Sequence, residues 1–360
     1  MKIKLTKQEK NWILYDVGNS AFTLLAATIL PIYFNYIAGK QGLSDVQYLA
    51  YWGYAVSIAT LLTALAGPVF GTVADTKGYK KPVFTIALGI GAIASVALGF
   101  AKYWLAFLVV FVIAKVGYSV TLVFYDSMLV DVTLEDRMDE VSSQGYAWGY
   151  IGSCVPFVIC LLVVLNAGKI GITMEIAMMV SFVIITVWWV IMTLPLLKTY
   201  HQKYYVEKKQ HAFSESFKRI GITLKNVKKE KKVFLFLLAF FFYIDGVYTI
   251  IDMATAYGSA LGLSSTGLLL ALLLTQIVAF PFAIIFGRLA KKYSAEKLIT
   301  VCIVAYLGVA IFAIFLHYQW QFWVLAVWVG MFQGGVQALS RSYFTKIIPA
   351  NQSEIGRAHV

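Results

Sequence analysis

The chain has 360 residues, 60% of them hydrophobic and 13% charged, with a formal charge of +12 and a mean hydropathy of +0.76. Ordinary soluble domains carry roughly a quarter charged residues, so no water-soluble core can hide this much apolar surface, and lipid must solvate much of it. The positive charge does not point to nucleic acid, because the basic residues sit between apolar runs, where a multi-span membrane protein keeps its cytoplasmic loops.

A helix that crosses about 30 Å of hydrocarbon needs roughly 20 mostly apolar residues. Runs of that kind predict ten transmembrane helices, near 12–37, 48–71, 82–101, 104–127, 144–166, 175–197, 233–257, 265–287, 298–316 and 321–343. The first run is too long for the core of a cleaved signal peptide, and further runs follow it. Trp104, Trp188, Trp189, Trp320 and Trp323 fall toward helix ends, where an aromatic belt at the lipid–water boundary is expected. Pro31, Pro68, Pro156 and Pro281 lie within or near helix ends and predict kinks. Cys154, Cys160 and Cys302 stand in apolar runs with no partner at metal-ligand spacing, so they read as small core residues.

Lysine and arginine divide the loops into two sets. One side collects Lys2, Lys4, Lys7 and Lys10, then Lys77, Lys80 and Lys81, Arg137, the segment 198–232, and Arg288, Lys291, Lys292 and Lys297. The other holds Lys40, Lys102 and Lys169. This asymmetry predicts a cell-membrane protein with its N-terminus and segment 198–232 in the cytoplasm. The domains expected are a six-helix bundle over 1–197, a basic linker over 198–232 and a second bundle over 233–353. In the linker, Phe213, Phe217, Ile220, Leu224 and Val227 recur at helical spacing. That pattern fits an amphipathic helix on the inner membrane surface, and a solvated connector equally well. Four helices after the linker leave the halves unequal, and residues 354–360 read as a non-native tail. The expectation is a C-terminally truncated chain that lacks two helices.

A loop pattern occurs twice. After the second helix the chain reads Gly71-Thr-Val-Ala-Asp75-Thr-Lys-Gly78-Tyr-Lys80-Lys81, and after the eighth Gly287-Arg-Leu-Ala-Lys-Lys292-Tyr. Parallel six-helix repeats are a transporter architecture with the binding site between the halves. The first copy resembles the signature loop of the major facilitator superfamily: Gly71, Asp75, Gly78 and Lys80 match, while Thr76 and Tyr79 replace usual basic residues. Gly78 permits the tight turn, and Asp75 can accept backbone amide protons or pair with a cation. In that family the loop stabilises the outward-open state, which implies gating roles for these four residues. Lys291 stands where the second copy would carry the acid.

Four further stretches narrow the resemblance. They are Tyr15-Asp16-Val-Gly-Asn19-Ser20-Ala21, Gly145-Tyr146-Ala147-Trp-Gly149-Tyr150-Ile-Gly152, Tyr243-Ile-Asp245-Gly246-Val-Tyr-Thr249-Ile and Gly334-Gly335-Val-Gln337-Ala-Leu-Ser340-Arg341-Ser342. Together they resemble the autophagy-related vacuolar-effluxer branch, whose fungal members export amino acids from the vacuole; the short loops fit a compact bacterial member. The resemblance implies an all-α major-facilitator fold of two six-helix bundles, with the first, fourth, seventh and tenth helices around a central cavity. It implies no enzyme activity and no cofactor.

Ionisable residues inside a span are costly and are candidates for a pathway. Here they are Asp16, Lys115, Asp126, Asp245 and Asp252, with Asn19, Gln276, Gln333 and Gln337 as neutral companions. Counted from the helix ends, Lys115 and Asp245 both fall near the midplane, so they are expected to approach one another across the halves. They would then form a breakable pair or bind the two ends of a zwitterion, with Asp245 a candidate proton carrier. A static pair that only holds helices together is the alternative. Asp16 and Asn19 share one helix face about a turn from the cytoplasmic side, as does Asp126, which suits either an inner gate or a substrate contact. Asp252 is placed in an outer vestibule. Arg341 is expected to reach for lipid phosphates or to gate. The glycines at 145, 149 and 152 line one face for close helix packing.

The function expected is a monomeric, proton-linked secondary transporter of small polar solutes, with amino-acid efflux foremost. The rivals are a drug or cation exporter of the same fold and a non-transporting receptor or scaffold. No Walker loop appears, which disfavours ATP-driven pumping.

Overall fold

A computed structural model describes residues 4–74, 76–205 and 231–347. Ten helices among them are long and apolar enough to cross a membrane: Lys7–Lys40, Asp45–Gly71, Lys80–Phe100, Trp104–Ser127, Glu135–Leu165, Met174–Thr199, Lys231–Ala260, Ser265–Leu289, Ala295–Ile314 and Gln319–Ile347. Each matches one expected run, usually extended at one or both ends. We number them one to ten, and call the side that carries Lys7, Arg137 and Lys291 the basic face. Asp75, the whole linker helix pattern from Phe213 to Val227 and the tail 354–360 lie outside the described residues.

Local chemistry sets the helix ends. Thr6 opens the first helix with a capping box: its Oγ1 accepts from the Glu9 amide at 3.2 Å, and Glu9 Oε2 accepts from the Thr6 amide at 2.7 Å. Glu9 then accepts from Arg137 at 2.8 Å and from Thr133 at 2.7 Å, which ties this helix to the start of the fifth. The first helix breaks at Thr28, where φ is −121° and ψ −77°. Pro31 explains the break: it has no N–H for the carbonyl of Ala27, and its ring crowds that carbonyl. Pro156 and Pro281, in contrast, lie inside continuous helices.

The turns carry a repeat that sequence reading passed over. Gly42-Leu43-Ser44 and Gly262-Leu263-Ser264 follow the first and seventh helices, with φ of 81° and 75° at their glycines. Leu43 N–H bonds the Ala38 carbonyl and Leu263 N–H the Gly258 carbonyl, each at 3.0 Å. The same glycine-closed helix end thus recurs at the same place in both halves.

Each half has its own core. The first is built on large aromatics, including Trp12, Phe22, Trp52, Phe111 and Trp189, and the second on Leu268, Ile299, Tyr306, Phe322 and Leu339. Lipid offers no hydrophobic drive between helices, so close packing over small residues holds them together. A Cβ on Gly145, Gly149 or Gly152 would fall 2.6, 2.6 and 2.5 Å from Asp16, Ser20 and Val17 of the first helix. A small seam of Ala147, Tyr150, Ala279 and Ala283 joins helices five and eight across the halves.

The tryptophan expectation needs correction. Trp320 is exposed, but Trp189 is fully buried against Phe22 and Tyr118, and Trp188 donates its ring N–H to the Val17 carbonyl at 3.2 Å. Position along a helix places a side chain by depth; only the neighbours decide whether it meets lipid or protein.

Candidate functional site

Between the halves lies a cavity of about 1340 Å³. Its lining includes Asp16, Asn19, Lys115, Asp126, Asp245, Asp252, Gln276, Gln333, Gln337 and Arg341, all singled out by sequence, and also Tyr118, Tyr146, Tyr150 and Tyr248.

Arg341 lies at the basic end of the cavity. The guanidinium is 4% exposed and bonds Asp126 Oδ1 at 2.9 Å, with Asp16 Oδ2 3.6 Å away. It also donates to Ser142 Oγ at 2.8 Å and to the Ser142 carbonyl at 3.0 Å. The rings of Tyr146, Trp12 and Tyr125 lie 4.4, 4.7 and 5.4 Å from it, within cation–π range. Tyr125 OH donates to Asp16 Oδ2 at 2.9 Å, and Asn19 donates to Asp16 Oδ1 at 3.5 Å. The lipid-phosphate expectation for Arg341 is therefore overturned, because three helices of the first half supply better-desolvated partners than the membrane surface. Gly145 makes this geometry available, since its missing side chain leaves room for the Asp16 carboxylate.

Further links between halves lie nearby on the same face. Lys346 bonds Asp139 and Lys291 bonds Glu140, each at 2.5 Å; Ser142 Oγ donates to the Ala338 carbonyl at 3.0 Å. A Cβ on Gly287 would fall 2.6 Å from Ser143. The lysine that replaces the acid in the second loop copy thus finds its counter-charge on the opposite half. Toward the other face, Asn35 donates to Ser259 at 3.4 Å.

The midplane pairing differs from expectation. Lys115 bonds Asp252, not Asp245, at 2.9 and 3.1 Å, with both side chains about seven-eighths buried. Asp252 is therefore not a free vestibule residue. The helix lengths explain the difference. The seventh helix has 30 residues, about 45 Å, so counting from its basic-face end misplaces the midplane. Counted from the opposite end, Lys115 and Asp252 lie at similar depth. Asp245 lines the cavity two turns below Asp252 on the same face and has no ion-pair partner among the described residues. Gln337 accepts from Tyr150 OH at 2.6 Å, and Gln276 lines the wall.

The signature loop is tied down through a residue that sequence reading missed. Lys80 bonds Asp131 Oδ2 at 3.3 Å, both buried. Asp131 also accepts from Tyr200 OH at 2.5 Å and from the amides of Lys203 and Tyr204 at 3.0 and 3.1 Å. Gln202 spans the loop, with Oε1 accepting from the Gly78 amide and Nε2 donating to the Ala74 carbonyl, each at 3.1 Å. Gly78 has φ +78°, as its turn requires, and Gly71 is buried near the end of the second helix. An acid just after the fourth helix, beside a basic loop, was the available signal for Asp131.

Ten membrane-length helices among the described residues, a cavity between two bundles and buried ion pairs across it define a secondary transporter of the major-facilitator fold. Solved structures agree on the fold. The proton:xylose symporter XylE matches at TM-score 0.66 and 12% identity, covering 98% of this chain and 84% of that one. The human organic anion transporter MFSD10 matches at 0.63 and 12%, covering 98% and 89%. The family described as "Vacuole effluxer Atg22 like" matches residues 6–136 and 130–355, and the chain belongs to it. The MFS-type transporter YxiO of Bacillus subtilis is 44% identical over 97% of this chain and 83% of its own length. Autophagy-related protein 22 of the yeast Vanderwaltozyma polyspora is 24% identical over 97% and 81%.

Proposed function

We propose that the chain moves small polar organic solutes, amino acids foremost, out of the cell by alternating access driven by protons. It works as a monomer in the cell membrane, with its basic face in the cytoplasm. The observation that carries this reading is the Arg341 cluster, a buried cation on one half held by carboxylates of the other at one end of a charged cavity. One guanidinium balances one carboxylate, so the Asp16–Asp126 pair has a place for the coupling proton, ahead of Asp245. Its position on the seam makes proton occupancy and opening of the basic face one event. The Lys80–Asp131 tie holds the signature loop against the fourth helix while the basic face is shut. The family description, "Vacuole effluxer Atg22 like", favours export as the direction of transport.

Counterflow of labelled amino acids in proteoliposomes, with and without a pH gradient, tests the reading. The native protein should exchange label and, under the gradient, accumulate it. Asp126→Asn should exchange without accumulating. Native protein that exchanges no amino acid, or an Asp126→Asn variant that still concentrates solute, refutes it.

A further inference from the structure

The cavity is lined by four carboxylates, Asp16, Asp126, Asp245 and Asp252, and two cations, Lys115 and Arg341. Arg341 is shared by Asp16 and Asp126, and Lys115 is held by both oxygens of Asp252. One carboxylate, Asp245, remains without a cation among the described residues. Asp245 is exposed to the cavity, so its carboxylate is open to a positive group carried by the ligand.

Spacing narrows the ligand further. Asp245 and Asp252 are seven residues apart on one helix face, about 10 Å along the axis. The Lys115–Asp252 pair offers a cation and a carboxylate side by side, complementary to the carboxylate and ammonium of an amino-acid head group. A second positive group must then lie about 10 Å from that head to meet Asp245. A side chain of three or four methylenes ending in an amine or guanidine, with a hydrogen bond of about 2.9 Å at each end, covers that distance. A neutral amino acid leaves Asp245 bare, and an acidic one adds a fifth negative charge.

Resting on the transporter reading above, we propose that the preferred solute is a basic amino acid of the lysine, ornithine or arginine class, with its head group on Lys115 and Asp252 and its distal cation on Asp245. The full-length protein in proteoliposomes, assayed by counterflow of labelled arginine, labelled leucine and labelled glutamate, provides the test. Arginine should exchange with at least about tenfold higher apparent affinity than leucine, and lysine should compete where glutamate does not. Asp245→Asn should raise the half-saturating arginine concentration tenfold or more and change that of leucine several-fold less, and Asp245→Glu should recover much of the arginine affinity. Leucine or glutamate exchanging as well as arginine overturns this assignment and leaves the transporter reading standing. So does an Asp245→Asn variant that weakens arginine and leucine equally. Absence of exchange for all three overturns both.

Discussion

Replacing Arg341 by glutamine removes the cation that two carboxylates, one serine and three aromatic rings converge on. Stripping one partner from a buried ion pair costs about 3–5 kcal/mol, because the charge left behind stays desolvated. Here that cost falls on the sealed state alone, since opening the basic face lets water reach Asp16 and Asp126. At about 1.4 kcal/mol per tenfold, the sealed state loses roughly two to three and a half orders of magnitude relative to the open one. A reporter at Gln337, one turn toward the cavity from Arg341, reads the change. In a background with Cys154, Cys160 and Cys302 replaced by alanine, Gln337→Cys should react with a membrane-impermeant thiol reagent only from the opposite face. Adding Arg341→Gln should speed labelling from the basic face by at least about a hundredfold. Arg341→Lys should fall between, since it keeps the charge and loses the fork to Ser142. Unchanged labelling from the basic face would refute the assignment of Arg341 as the closure.

Three further outcomes are expected. Lys115→Met should lower thermal stability in detergent by more than the Lys115→Met/Asp252→Asn double variant, by about 1–3 kcal/mol, because the single change leaves a mostly buried carboxylate unpaired; equal losses would mean the pair is not formed. Gly145→Ala places a Cβ 2.6 Å from Asp16 Oδ2 and 3.0 Å from the Trp12 ring, so it should cost about 1–3 kcal/mol and raise basic-face labelling at Gln337→Cys, whereas Gly246→Ala, which meets nothing within 4 Å, should leave that labelling unchanged. Asp131→Asn removes the counter-charge of Lys80 and a charged acceptor for Tyr200, Lys203 and Tyr204, and should make limited proteolysis after Tyr200 markedly faster; an unchanged cleavage rate would show that the segment is held by other means.

The sites show how far sequence reading reached. Asp16 and Asp126 were flagged because a charge inside an apolar run is costly, and Arg341 for its place in a motif at the end of the tenth helix, but their union was not, since they come from the first, fourth and tenth helices. Trp12, Asp16 and Asn19 share a face at helical spacing, so the first-helix side of the cluster was open to inference; Ser142, which holds the guanidinium fork, carries no sign of that role in its local sequence. Lys115 was matched to the wrong aspartate for a reason of length: helices longer than the hydrocarbon make depth counted from one end unreliable. Asp245 and Asp252 are seven residues apart on one face, and nothing local distinguishes them.

Composition and apolar run length alone determined that ten helices among the described residues are fit to cross a membrane, because each backbone polar group in lipid must be satisfied within its own helix, and that demand is local. The repeated turns and the family followed from residues close together in the chain. Which charges face one another and which carboxylate is left over among the described residues were decided only by the packing of helices far apart in sequence. Ion-pair energies depend on distances of a few ångströms, and those distances exist only once the two bundles have closed around a common gap.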